Sequence, residues 1–151
     1  MKNLISFLTM AIMVIALPVA SLAQENQENE KEAIKNVIVS AYVDGIFNEG
    51  NVNKIKAGWY PECDINIYNE INDTCTKSKA FRFIPMFERN PVGLTPGTTY
   101  KIPMVHITGY AAIAIVEIYH KEKQIYTDYM NLYKFRDGWK IVTKTFYAFP
   151  K

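Results

Sequence analysis

The stretch "TDYMNLYKFRDGWKIVTKTFY", residues 127–147, places an acid, Asp128, inside an aromatic-rich strand. A carboxyl group on the inward face of a strand loses water, and its pKa rises unless hydrogen bonds hold it down. Raised, it serves as a general acid or base, or as a neutral donor to an oxyanion. The plainer role is to accept bonds from a tyrosine or from a backbone amide near a helix end, because buried acids usually owe their place to pairing. The plainer role is the one adopted for Asp128, with a pocket-lining role beside it.

Other residues could share such a site. Tyr42 lies on the apolar stripe of the first helix, facing the sheet, and could donate a hydrogen bond to a ligand or fill the core with its hydroxyl at an edge. Tyr68 shares a strand parity with Asp64 and Asn66 and is placed at the mouth of a pocket. Trp59 either caps the cavity or packs behind the second helix. His106 is a lone strand histidine, a pattern that is more often structural than catalytic. Phe81, Phe83 and Phe87 form either a lid or core, and Phe87 and Tyr147 complete the candidate lining. Glu117 shares a parity with Ile113, Ile115 and Tyr119, an apolar set; a sheet edge or a cross-strand pair with Lys144 would accommodate it. No nucleophile–base constellation is visible, and the seven glycines are isolated, so no phosphate loop is present. Two cysteines and two distant histidines lack metal-ligand spacing, and no cofactor is called for.

These residues need elements to hold them. Ala33, Ile34, Val37, Ile38, Ala41, Tyr42 and Ile46 recur at three- and four-residue steps, which predicts an amphipathic helix ended by Gly50. A shorter helix follows, with Asn51 as N-cap and a stop at Gly58 or Pro61. "CDINIYNE" alternates as a strand, "INDT" turns, and a short strand returns. "TKSKAFRFIPMFERNP" predicts a short or distorted helix, since Pro85 is tolerated only in a first turn. Four long strands then succeed one another through short turns, giving an antiparallel meander and the α+β class.

The first 23 residues, with Lys2, an apolar run from Leu4 to Leu17, and small residues at Ser21 and Ala23, read as a cleaved secretory signal peptide. The remainder, 24–151, reads as a single exported domain, periplasmic or secreted. It has no membrane span, because a span needs about 20 apolar residues. The formal charge of the whole chain is +2, which gives no electrostatic reason to bind nucleic acid. Export makes a disulfide between Cys63 and Cys75 chemically allowed, subject to strand register.

Both parities of the last two strands are largely apolar, so the sheet covers something on each side. One side takes the helices. The other meets a second subunit, or one bowed face encloses a cavity. Tyrosine suits such a space, and the chain has 10 Tyr and 8 Phe.

The arrangement resembles the nuclear transport factor 2-like cone, and within it the bacterial family named "putative lumazine-binding". "AYVDGIFNEGN" (41–51), "WYPE" (59–62) and above all "TDYMNLYKFRDGWKIVTKTF" (127–146) carry the resemblance. Asn51, Tyr60 and Glu62 stand where that family has Asp, His and Asp, so a chemical role of those groups would be lost or substituted here. The resemblance implies a curved antiparallel sheet wrapped around N-terminal helices. The superfamily holds ketosteroid isomerases, dehydratases, polyketide cyclases and non-enzymatic binding modules, so fold alone does not choose a function. The reading favoured is an exported protein that binds a small apolar or aromatic molecule in an aromatic pocket and is homodimeric through its sheet. The alternatives are an isomerase or dehydratase using Asp128 with Tyr42, and a protein-interaction module using the exposed sheet face.

Overall fold

The computed structural model describes residues 24–150, and the expected signal peptide lies outside them. The chain divides into two units, Met1–Glu32 and Ala33–Lys151. The described part of the first, 24–32, is α-helical; the rest of the fold belongs to the second.

The apolar stripe from residue 33 onward forms helix α1 (33–48), but in two gauges. It is α-helical to 38 and π-helical over Val39–Asn48. The amide of Glu49 closes the π segment on the carbonyl of Asp44 at 2.8 Å, a five-residue step. A stripe drawn at the α period omits Val43 and Phe47. The wider π turn carries both inward beside Ala41, Tyr42 and Ile46, and all five are buried. Such segments are rare and are frequently found at functional sites.

Helix α2 (Val52–Gly58) begins as its sequence requires, with the Asn51 side chain accepting the Lys54 amide at 3.2 Å. Gly58 permits the close crossing of the two helices: a Cβ there would stand 2.3 Å from the Ala41 Cβ. Strand β1 (Trp59–Asn69) starts earlier than its alternation suggests, directly after Gly58. Pro61 falls where the pairing of β1 with its neighbour is interrupted, between Trp59 and Asp64, a position in which a missing amide costs little.

Strand β2 (Thr74–Lys79) returns along β1 with Tyr68 opposite Cys75. Cys63 therefore lies five residues along β1 from the partner of Cys75, roughly 16 Å at strand rise. Both cysteines are free thiols in this structure. Burial pushes the Cys63 thiol up to about 12. A 3₁₀ turn (Ala80–Phe83) leads into helix α3 (Ile84–Arg89), and Pro85 sits in its first turn, where it costs no hydrogen bond.

Strands β3 (Thr98–Thr108), β4 (Ala111–His120), β5 (Lys123–Phe135) and β6 (Gly138–Ala148) form the meander. The curved, unclosed sheet of six runs β2-β1-β6-β5-β4-β3, with β1 parallel to β6 and every other neighbour antiparallel. The fold is thus the α+β cone that the sequence resembles.

The double-sided apolar character of β6 has a local cause. Leu132 pairs with Ile141 and Asn131 with Thr143, leaving Val142 as an extra residue, a β-bulge. Before it the odd positions Trp139 and Ile141 are buried; after it the even position Lys144 is. Strand β5 keeps one phase, burying Asp128, Met130 and Leu132, and β4 buries Ala112, Ala114, Val116 and Ile118 on the same face. The opposite face exposes Ile113, Tyr129, Tyr133 and Tyr147.

Candidate functional site

The bulge has a chemical consequence. It turns the Lys144 side chain onto the inner face, diagonally across from Asp128, which pairs with Phe146 one step further along. Lys144 is 5 % exposed and Asp128 not at all. The Lys144 ammonium donates to Asp128 Oδ1 in a short, charge-assisted bond. It also donates to the Tyr42 hydroxyl at 3.0 Å, and that hydroxyl donates to Asp128 Oδ2 at 2.8 Å. The three groups close a ring of hydrogen bonds between α1, β5 and β6.

The π segment supplies Tyr42 and seats it. Its ring meets Phe47 edge-on at 5.0 Å and Trp59 at 5.7 Å. Trp59 is held in turn by its indole N–H donating to the Ala41 carbonyl at 3.2 Å. The ammonium lies 4.1 Å from the Phe146 ring centroid and 5.0 Å from that of Tyr42, so aromatic faces replace part of its lost hydration.

Burial dominates the electrostatics. Loss of water raises the Asp128 pKa, and the attraction of Lys144 opposes the rise without cancelling it. Loss of water likewise lowers that of Lys144 against the pull of Asp128. Tyr42 is pushed well above the ordinary phenol value, first by burial and then by the adjacent carboxylate. It stays a neutral donor at any physiological pH.

A cavity of about 180 Å³ opens against this ring. Tyr42 and Lys144 reach it; Asp128 stands behind them and does not line it. The walls are Ile46 and Phe47 from the π segment, Ile65 and Ile67 from β1, Tyr126 and Phe146 from the sheet, and Phe83, Leu94 and Arg82 from the segments that cross the opening. Leu94 is delivered by backbone bonds: the amides of Leu94 and Thr95 donate to the carbonyls of Ile46 and Phe47 at 3.0 and 2.9 Å, satisfying groups that a helix C-terminus leaves open.

Of the residues proposed from sequence, the structure brings Tyr42 and Asp128 together, with Trp59 behind Tyr42 in the core rather than over a cavity. Tyr68 is exposed on β1 and donates to Asp73 at 3.0 Å, away from the cavity mouth. Phe87 is buried against Phe83 and lines a separate surface depression with Glu49 and Gly50. His106 is exposed and lines an outer-face hollow with Ile113 and Tyr133. Tyr147 is exposed against Phe149. Tyr68, His106 and Tyr147 fall outside because strand register puts them away from the inner face, and Phe87 because helix α3 turns it toward the other depression. Glu117 does not reach Lys144; β5 separates their strands, and Glu117 accepts from Tyr119 at 2.6 Å instead. Lys144 itself is the site residue that sequence reading missed as a partner of Asp128. Its signal was a lysine set at two-residue spacing between Val142 and Phe146, an apolar parity.

The comparisons agree with this architecture. Residues 29–147 match the family model described as "Putative lumazine-binding". An NTF2-like protein of unknown function from Shewanella baltica superposes with a TM-score of 0.65 at 19% identity, covering 82% of this chain and 96% of that one. One from Silicibacter pomeroyi gives 0.63 at 16% identity, covering 83% and 98%. A third, from Methylobacillus flagellatus, gives 0.60 at 19%, covering 81% and 94%. No curated protein matches the chain.

Proposed function

The chain belongs to the "Putative lumazine-binding" family, and from that premise and the cavity geometry we propose that it is an exported protein that binds a small ring-containing molecule on the inner face of its sheet. The observation that carries this reading is the cavity itself: apolar and aromatic walls around a floor made of a pre-paired lysine and tyrosine. A few convergent polar groups in an apolar hollow is the usual make-up of a small-molecule site. Because Asp128 holds Lys144 and Tyr42 in place, their orientation needs no rearrangement when a ligand arrives, which lowers the cost of binding. Export rests on the leader sequence, and self-association on the aromatic outer face.

Proton transfer by Asp128, the alternative chemistry, finds no support in this geometry. Both carboxylate oxygens are engaged by Lys144 and Tyr42, and Asp128 does not line the cavity.

The test is thermal unfolding of the full chain with lumazine and with single-ring aromatic compounds. A ligand at a hundred times its Kd stabilises by about 2.7 kcal/mol, enough to raise the Tm measurably. Leu94→Trp, which fills the cavity from the loop side, should abolish the rise. A rise that survives Leu94→Trp would place the ligand elsewhere.

A further inference from the structure

The polar groups of this cavity are unbalanced. Lys144 spends two of its three N–H donors on Asp128 and Tyr42, and the hydroxyl hydrogen of Tyr42 is spent on Asp128. The charge of Lys144 is answered by Asp128. Arg82 is different. It is exposed yet lines the cavity, which places it at the rim. Among the described residues its guanidinium meets no carboxylate; it lies over the face of Phe83, 4.8 Å from the centroid. Phe83 lines the same cavity, so the guanidinium lies beside the opening. Among the described residues, the side chains lining the cavity thus carry one positive charge that meets no carboxylate, and no acid.

Size narrows the guest further. At about 180 Å³ the hollow is close to the 150 Å³ apolar cavity that accepts benzene, and below the 300 Å³ at which sites for larger ligands begin. Resting on the reading of this cavity as a ligand site, we propose that its ligand class is a single-ring aromatic carboxylate. The ring lies among Ile46, Ile65, Phe83 and Phe146, the carboxylate pairs with Arg82 at the rim, and the remaining N–H of Lys144 faces an acceptor on the ring. A guanidinium fork suits this task, since it binds a carboxylate through two parallel bonds.

Calorimetric titration with benzoate, 4-hydroxybenzoate and neutral benzyl alcohol tests the assignment. Both acids should bind more tightly than benzyl alcohol, and their affinity should fall as salt is raised, because the ion pair sits at a solvent-facing rim. Arg82→Gln should weaken benzoate about tenfold, the loss expected for a hydrogen bond to a charged group, and leave benzyl alcohol unchanged. Arg82 is exposed, so the variant should fold like the parent. If benzyl alcohol or lumazine binds and benzoate does not, or if Arg82→Gln leaves benzoate unaffected, the carboxylate assignment fails while the cavity stands as a ligand site. If none of these compounds binds, the ligand-site reading fails with it.

Discussion

At the scale of single residues, the Tyr42–Asp128–Lys144 ring is costly to disturb in part and cheaper to remove as a whole. Removing one member of a buried ion pair leaves an uncompensated charge and typically costs about 3–5 kcal/mol. Replacing both members by neutral groups of similar shape is often close to neutral. Asp128→Asn and Lys144→Met should therefore each destabilise strongly in urea unfolding, and the double variant should regain most of the loss. Strictly additive losses would show that the two groups do not act as a pair. The same ring sets a pH dependence. Asp128 is raised above its unfolded value, so between that value, about 3.9, and its folded one the native state holds the extra proton and stability falls as pH rises. Lys144 is lowered, so between its folded value and about 10.4 the unfolded chain holds the extra proton and stability rises with pH. The stability of the parent minus that of the double variant should thus pass through a minimum at intermediate pH, and a flat difference would refute the assignment of both shifts to this pair.

At the scale of elements, two irregularities assemble the site, and both are backbone events. The π segment of α1 rotates Val43 and Phe47 inward, and the bulge at Val142 moves the buried phase of β6 from Ile141 to Lys144. The helix, the caps and the meander were legible because each has a local signal: the apolar stripe to Ile46, Asn51 before α2, Pro85 in a first turn. Asp128 was legible as an acid among apolar neighbours. Its lysine partner was not, because strict alternation cannot show a one-residue slip, and a slip reverses every side chain after it. The loop that delivers Leu94 depends on a similar close fit. Gly93 lies so near α1 that an added Cβ would stand 2.1 Å from the Phe47 carbonyl oxygen. Gly93→Ala must push the loop off the helix end or strain it, at a cost of about 1–3 kcal/mol. It should also enlarge the cavity mouth and weaken any ligand that the parent binds. Unchanged stability in this variant would mean that the loop does not sit on the Ile46 and Phe47 carbonyls as described.

At the scale of the whole molecule, the two faces of the sheet differ in what they carry. The inner face of β5 and β6 carries the ion pair and the cavity. The outer face presents Ile113, Tyr129, Tyr133 and Tyr147, with Tyr129 and Tyr133 about half exposed at 51% and 53%. Large contiguous apolar patches on a soluble chain usually mark an interaction surface, and tyrosines serve there because they bury area while keeping a hydrogen-bonding tip. Self-association of two copies through this face would cover the rings without closing the cavity, whose lining residues project from the other side. The two properties should then separate by mutation. Tyr129→Arg with Ile113→Arg places like charges where two copies would meet. In sedimentation, a dimer of the parent chain should become a monomer in the double variant, and the Tm rise with a bound ring compound should persist. A parent that sediments as a monomer at all accessible concentrations would remove the dimer. Loss of the ligand response on monomerisation would instead show that the outer contact helps to shape the cavity, tying together the two faces that the strand alternation keeps apart.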